Sequence, residues 1–224
     1  MGILMPASRP QLVHTLARFG LGLGIVSIVV QYIVFQPLFR QMGLGPVSSA
    51  FGMLMYLTIL TNLMMVAVYW SASSRSTGRI MAFFNRTGVQ TAIAAHIALV
   101  AIVYVTAIRG HITLTPPMLV TDALLHYLAP IVYLSWWWLI PGKQPVNYSN
   151  IPMWLAWPAI YLAFIMMAGF FTGAFIYPIL DVNILGGTIV AINIALVFGL
   201  LAVISVGLVF VARTQTAKRN APAS

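Results

Sequence analysis

Cysteine is missing altogether from the 224 residues of this chain. Its absence excludes disulfides, thiolate metal sites, iron–sulfur clusters and a Cys nucleophile, and it carries no information about redox compartment. Acid is almost as scarce: Asp122 and Asp181 stand against eleven Lys and Arg. Charged residues make up 6% of the chain, where soluble globular proteins carry about 25%. No internal repeat or low-complexity segment stands out. What the chain has in excess is apolar surface, at 61% of residues, and the solvent that suits it is the bilayer.

A span needs about 20 apolar residues to cross roughly 30 Å of hydrocarbon. Six runs qualify, at about 15–35, 50–70, 88–108, 119–140, 153–173 and 187–212, followed by a polar, fraying tail at 213–224. Dense turn chemistry separates them: Gln36-Pro37, Gly43 to Pro46, the Ser/Arg-rich stretch 71–87, Gly110 to Pro117, Pro141 to Pro152, and Tyr177 to Gly187. The expected fold is all-α, a six-transmembrane-helix bundle forming a single transmembrane domain over 1–224. The first run exceeds a signal h-region and lacks a small-x-small pattern at Gln36-Pro37-Leu38, so it reads as a retained span. Gly2 precedes Ile3-Leu4-Met5-Pro6, without the Ser or Thr of a myristoylation signal.

The formal net charge of +9 would suit nucleic acid. The cations sit in loops and ends between apolar runs, however, so anionic lipid heads are the expected partner and nucleic acid is not. Alternating the loops puts Arg9, Arg18, Arg75, Arg79, Arg86, Lys143, Arg213, Lys218 and Arg219 on one side, and only Arg40 and Arg109 on the other. The positive side faces the cytoplasm, which places both termini inside. Trp70, Trp136-Trp137-Trp138, Trp154 and Trp157 fall at the same inner interface. An aromatic belt accounts for them without a cofactor stack.

Polar groups in hydrocarbon tend to face the bundle interior or a wet cavity. Thr58 lies about eight residues below the outer end of the second run, roughly 12 Å at helical rise. His126 lies about seven residues below the outer end of the fourth, roughly 10 Å by the same rise. Both therefore belong to one layer in the outer half of the bilayer. Asn62 is one turn beyond Thr58, and Asp122 one turn before His126, on the same helix stripes. Pro130 leaves the carbonyl of residue 126 without a helical N–H, so a kink is expected there. A hydroxyl beside an imidazole with a carboxylate behind it makes a weak nucleophile usable. Asn62 is a candidate for stabilising an oxyanion. Against this, a lone Thr in a membrane helix usually bonds its own backbone or a neighbouring helix, and Asp122 sits where solvation at the interface also explains it.

Three segments at these positions resemble one family. Tyr56-Leu57-Thr58-Ile59-Leu60-Thr61-Asn62 resembles the second-helix motif of the androgen-induced membrane hydrolases. Leu124-Leu125-His126-Tyr127-Leu128-Ala129-Pro130 resembles their His-then-Pro motif, and Ile176-Tyr177-Pro178-Ile179-Leu180-Asp181 is similar to their Tyr-Pro-Phe-Leu segment. Order, spacing and layout match over nearly the whole chain. The resemblance implies an intramembrane threonine hydrolase, with Thr58 as nucleophile and His126 as its partner; animal members cleave fatty acid esters of hydroxy fatty acids. Animal members have an Asp shortly after the Thr, where this chain has Thr61-Asn62. They also have more residues between His and Pro, and a Phe where Ile179 stands. The resemblance is thus to a bacterial-type member of the inner membrane, with a lipid or fatty acid ester as substrate and no cofactor. Thr61 is the fallback nucleophile, about 60° away around the helix. Tyr177 and Asp181 line the pocket mouth in one reading, and in the preferred one form a turn and its cap.

Other chemistries fit less well. Bis-His haem needs two His at one depth. His96 lies near 20 Å by helical rise, out of level with His126, and His14 and His111 sit at span ends. A metal hydrolase needs three or four converging ligands, and Asp122 with His126 supplies two. Lys143 and Lys218, the only lysines, lie outside the runs, which excludes a retinal Schiff base. A small-molecule transporter or a non-catalytic lipid-binding protein is the non-enzymatic alternative, although Pro130 and Pro158 lack a matching half.

Overall fold

The computed structural model describes residues 9–74, 78–140, 144 and 146–220, with the backbone alone at Arg9 and residues 218–220. Arg75 and Lys143, counted above toward the positive side, and residues 221–224 of the tail lie outside the described residues. Every regular element among the described residues is helical. Five helices are long and apolar enough to cross a membrane, and a sharply bent pair makes six if its two parts are one span. This is the layout of a multi-pass membrane protein.

Helix α1 (Arg9–Gln41) runs straight through Pro37, where the sequence predicts a break. Only one ladder hydrogen bond is lost to the missing N–H, and the helix ends instead at Gly43, whose φ of 75° suits a residue without a side chain. The larger departure is in the second run. It is not one helix but α2 (Pro46–Met53) and α3 (Leu57–Ser73), meeting at 86°. Tyr56 takes an extended backbone between them, so Met55 and Leu57 have polar groups that no helix satisfies. Two tyrosines from elsewhere in the chain do so. The Tyr161 hydroxyl donates to the Met55 carbonyl at 2.7 Å, and the Leu57 N–H donates to the hydroxyls of Tyr161 at 3.0 Å and Tyr177 at 2.9 Å. Unpaired backbone at membrane depth is costly; here it is tied down. The 17 residues of α3 alone rise about 25 Å.

Two further helices carry π-helical turns. α4 (Arg79–Phe84) leads to α5 (Thr87–Val103), which widens at Tyr104–Ile108 and tightens at Arg109–His111. The next span comprises α6 (Pro116–Asp122), a wide turn over Ala123–Leu128, and α7 (Ala129–Leu139). The second of these wide turns has a cause in the sequence: Pro130 offers no N–H to the carbonyl of residue 126. α8 (Ile151–Thr172) ends at left-handed Gly173. α9 (Val182–Asn220) is interrupted at Gly186 and then continues as helix to Asn220, so residues 213–220 are helical rather than a frayed tail.

Small residues bring α1 against α3, as expected where lipid offers no hydrophobic drive for helix pairing. A Cβ on Gly20 would lie 2.3 Å from the Tyr69 ring, and one on Gly24 would lie 2.6 Å from Val66. Around Tyr69 lies the main core, which includes Met65, Tyr133, Trp136, Trp137, Trp154 and Val209. The tryptophans expected as a belt therefore divide. Trp70 and Trp138 are exposed, whereas Trp136, Trp137 and Trp154 are buried, with Trp137 donating its indole N–H to Thr91 at 3.1 Å. Their bulk fills the bundle at the end of α3 remote from Thr58, leaving the other end open.

Candidate functional site

At that other end the helices enclose a cavity of about 480 Å³, lined mostly by apolar side chains from α1, α3, α5, α8 and α9. Such a volume lies within the usual range for a small-molecule site. Thr58, Asp122, His126, Tyr161 and Tyr177 are among the polar groups that interrupt its greasy wall.

Thr58 is the second residue of α3, immediately after the 86° bend, and not eight residues down a continuous helix. Its Oγ1 lies 3.3 Å from His126 Nε2. The wide turn at Ala123–Leu128 carries His126, and one turn back Asp122 Oδ1 accepts from His126 Nδ1–H at 3.0 Å. A carboxylate on Nδ1 fixes the tautomer, leaving Nε2 with its lone pair toward the Thr58 hydroxyl. Arg109 closes the series, with its Nε 3.3 Å from Asp122 Oδ2. Asp122 is buried, so it is not simply solvated at the interface, and Arg109 supplies the compensating charge. Tyr104 stacks on the His126 ring, with centroids 3.5 Å apart and planes within 6°.

The remaining expected residues do not join this series. Asn62 is fully buried and donates its side-chain N–H to the Thr58 carbonyl at 2.8 Å. It braces the first turn of α3 from behind, does not line the cavity, and so is not placed to stabilise an oxyanion. Thr61 is fully buried too, its hydroxyl without a partner among the described residues and away from the cavity wall. Asp181 caps α9: its carboxylate accepts from the Asn183 N–H at 2.9 Å, and its carbonyl from Leu185 at 2.9 Å. Tyr177 does more than form a turn, since its hydroxyl reaches Leu57 N–H beside the nucleophile candidate. Outside the site, His96 bonds the Trp154 carbonyl through Nε2 at 2.9 Å. Among the described residues no three His, Cys, Asp or Glu side chains converge.

Sequence reasoning missed Tyr104, Arg109 and Tyr161 as members of this site. Arg109 had a signal: a chain with two acids, one inside a span, needs a cation near it. Tyr104 and Tyr161 had none beyond being polar aromatics within apolar runs.

Comparison with known proteins is silent: no family model, curated protein or solved structure matches the chain. The functional reading rests on geometry and chemistry.

Proposed function

We propose that this protein is an intramembrane hydrolase of lipid esters, with Thr58 as nucleophile and His126 as general base and then general acid. A single observation carries the reading. Thr58, His126 and Asp122 form one hydrogen-bonded series, with spacings of 3.3 and 3.0 Å, on the wall of an apolar cavity. Thr58 Oγ attacks the ester carbonyl as its proton passes to His126 Nε2. The tetrahedral intermediate collapses, His126 returns the proton to the leaving alkoxide, and an acyl-Thr58 ester remains. Water then attacks that ester with His126 again as base, releasing the acid and regenerating the hydroxyl. Asp122 holds the tautomer and stabilises the imidazolium, and Arg109 pairs with the other carboxylate oxygen at 3.3 Å. The cavity holds an acyl chain in register, and orientation of that kind supplies much of a rate enhancement.

The reading extends to the androgen-induced membrane hydrolase family, in a bacterial-type member whose esters are of the fatty acid ester of hydroxy fatty acid type or similar. It also includes six spans with the second broken at residues 54–56, both termini cytoplasmic and the cell (inner) membrane as location. Support for that orientation comes from the Lys and Arg bias between loops. A non-catalytic lipid-binding protein or a transporter would use the same cavity but has no need of a carboxylate–imidazole–hydroxyl series. Hydrolysis of a panel of lipid esters by the purified protein is the test. Thr58→Ala and His126→Ala should each abolish it, and Thr61→Ala should retain it. Activity that survives both of the first two changes ends the hydrolase reading, and loss in Thr61→Ala alone moves the nucleophile.

A further inference from the structure

An acyl transfer at Thr58 needs hydrogen-bond donors for the oxyanion, and Asn62 is turned away from the cavity. The bend before α3 presents two donors beside the nucleophile. Thr58 lies in the first turn of its helix, where backbone N–H groups have no helical acceptor. Its own N–H has no acceptor among the described residues, while Ile59 and Leu60 both donate to the Tyr56 carbonyl. One residue back, the Leu57 N–H donates to Tyr177 Oη at 2.9 Å, which fixes that phenol beside Thr58 on the cavity wall.

The proton count around the two tyrosines decides which of them is free to donate. Tyr161 Oη has one proton, committed to the Met55 carbonyl at 2.7 Å, and it accepts from Leu57 N–H at 3.0 Å. In the contact between Tyr161 and Tyr177 at 3.1 Å, Tyr177 is therefore the donor. Turning the Tyr177 O–H from Tyr161 toward the cavity leaves no group stranded. Tyr161 keeps its bonds to Met55 and Leu57, and Tyr177 Oη keeps the Leu57 N–H. A bond to a neutral phenol oxygen is exchanged for one to an anion, and the charge-assisted bond is the stronger. Burial raises the Tyr177 phenol above its ordinary value, which keeps the proton in place.

We propose that Tyr177 is a catalytic residue of this hydrolase, its hydroxyl and the Thr58 N–H together forming the oxyanion hole. As the bond from Thr58 Oγ to the carbonyl carbon forms, the carbonyl π pair moves onto oxygen and the Tyr177 O–H and Thr58 N–H donate to it. When the carbonyl re-forms, the bond to the leaving alkoxide breaks and His126 supplies its proton, so Tyr177 gives up none. The inference rests on the ester-hydrolase reading and names the group that reading lacks.

The test is steady-state hydrolysis of a long-chain p-nitrophenyl ester by the full chain in lipid nanodiscs, comparing wild type, Thr58→Ala, Tyr177→Phe and Tyr161→Phe. Tyr177→Phe should lower kcat about 10²- to 10³-fold, the usual effect of removing one oxyanion donor, with KM within about threefold and the fold retained, because the Leu57 N–H keeps Tyr161 as an acceptor. A trifluoromethyl ketone of matching chain length, which forms an oxyanionic adduct with Thr58, should lose affinity by a similar factor. Tyr161→Phe removes the bond to Met55 and should lower the melting temperature. Ring-fluorinated tyrosine incorporated at position 177 preserves packing while sharpening the donor, so kcat should change with phenol acidity. A Tyr177→Phe enzyme with kcat within threefold of wild type, or a kcat indifferent to fluorination, overturns the role of Tyr177 while leaving the hydrolase reading standing. Absence of any Thr58-dependent hydrolysis in wild type sinks both.

Discussion

Tyr104 lies flat against His126, ring centroid to ring centroid at 3.5 Å and within 6° of parallel. The contact joins the two places where α-helix gives way to wider turns, at Tyr104–Ile108 and Ala123–Leu128. Wide turns of this kind re-aim side chains and are common at functional sites. Here their joint effect is to hold one imidazole on its face by Tyr104, on one edge by Asp122 at 3.0 Å, and on the other by Thr58 at 3.3 Å. A ring held on three sides has little rotamer freedom left to lose when a substrate arrives.

The stacking face should therefore matter more than the Tyr104 hydroxyl. Tyr104→Phe is expected to keep kcat within about threefold, since the ring remains. Tyr104→Ala removes the plane and should lower kcat about tenfold or more, because small misplacements of a catalytic group are costly. Ester hydrolysis by the two variants side by side decides it. Equal loss in both would assign the effect to the hydroxyl.

Asp122→Asn keeps shape but reverses the tautomer. An amide N–H facing Nδ1 drives the imidazole proton to Nε2, which then points a donor at the Thr58 hydroxyl and cannot take its proton. A loss on the order of 10⁴ in kcat is expected, as in hydroxyl–imidazole–carboxylate series generally. Arg109→Gln should cost far less, under about tenfold, because its side chain is 36% exposed and partly exposed pairs are weak. The ratio of the two losses, measured on one ester, is the check. An Arg109→Gln loss equal to that of Asp122→Asn would make the cation the primary group.

Two glycines of α1 should respond to the same substitution with opposite sign. Gly20→Ala places a Cβ 2.3 Å from the ring of fully buried Tyr69, and overpacking of that kind costs about 1–3 kcal/mol. Gly22→Ala meets nothing within 4 Å and gains about 1 kcal/mol of helix propensity. Thermal unfolding in detergent should show the first melting lower than wild type and the second equal or higher. A neutral Gly20→Ala would mean that α1 and α3 do not pack as closely as described.

The helices were legible because lipid imposes length and apolarity together, and five of the six expected runs overlap one long helix or one helical span. The bend at residues 54–56 was not, since no Pro or Gly marks Leu54-Met55-Tyr56. What permits it is a pair of hydroxyls 106 and 120 residues away in the chain. Thr58 and His126 were singled out from depth along two continuous helices, yet Thr58 reaches His126 from the start of a helix that begins only at Leu57. The local pattern identified which residues were unusual, whereas the tertiary contacts fixed what each one faces. Asn62 and Thr61 show the difference: both are polar and one turn from Thr58, and both point into packed protein.

Orientation is the expectation that bears most directly on how substrate arrives. The orientation proposed from the Lys and Arg bias has the ends of the chain and the 78–86 segment in the cytoplasm, with Gly45, Gly110 and Tyr177 on the opposite side. On the proposed orientation the cavity wall draws on the outer loops, through Ile112, Thr113, Ile176 and Tyr177, and the proposed ester substrate would enter from the outer leaflet. The chain has no Cys, which makes single-cysteine labelling clean without prior mutation. Gly45→Cys and Gly110→Cys should react with a membrane-impermeant maleimide on intact cells. Gly78→Cys and Ala217→Cys, at exposed positions near the other ends of the helices, should react only after permeabilisation. The reverse pattern would place Thr58 and His126 in the inner half of the bilayer and require substrate from the cytoplasmic leaflet. Labelling of Gly45→Cys and Gly78→Cys from the same side would mean that α2 and α3 enter and leave by one face, a re-entrant loop in place of a broken span. Reaction at opposite faces is expected, because α3 rises about 25 Å and nearly crosses the hydrocarbon without α2.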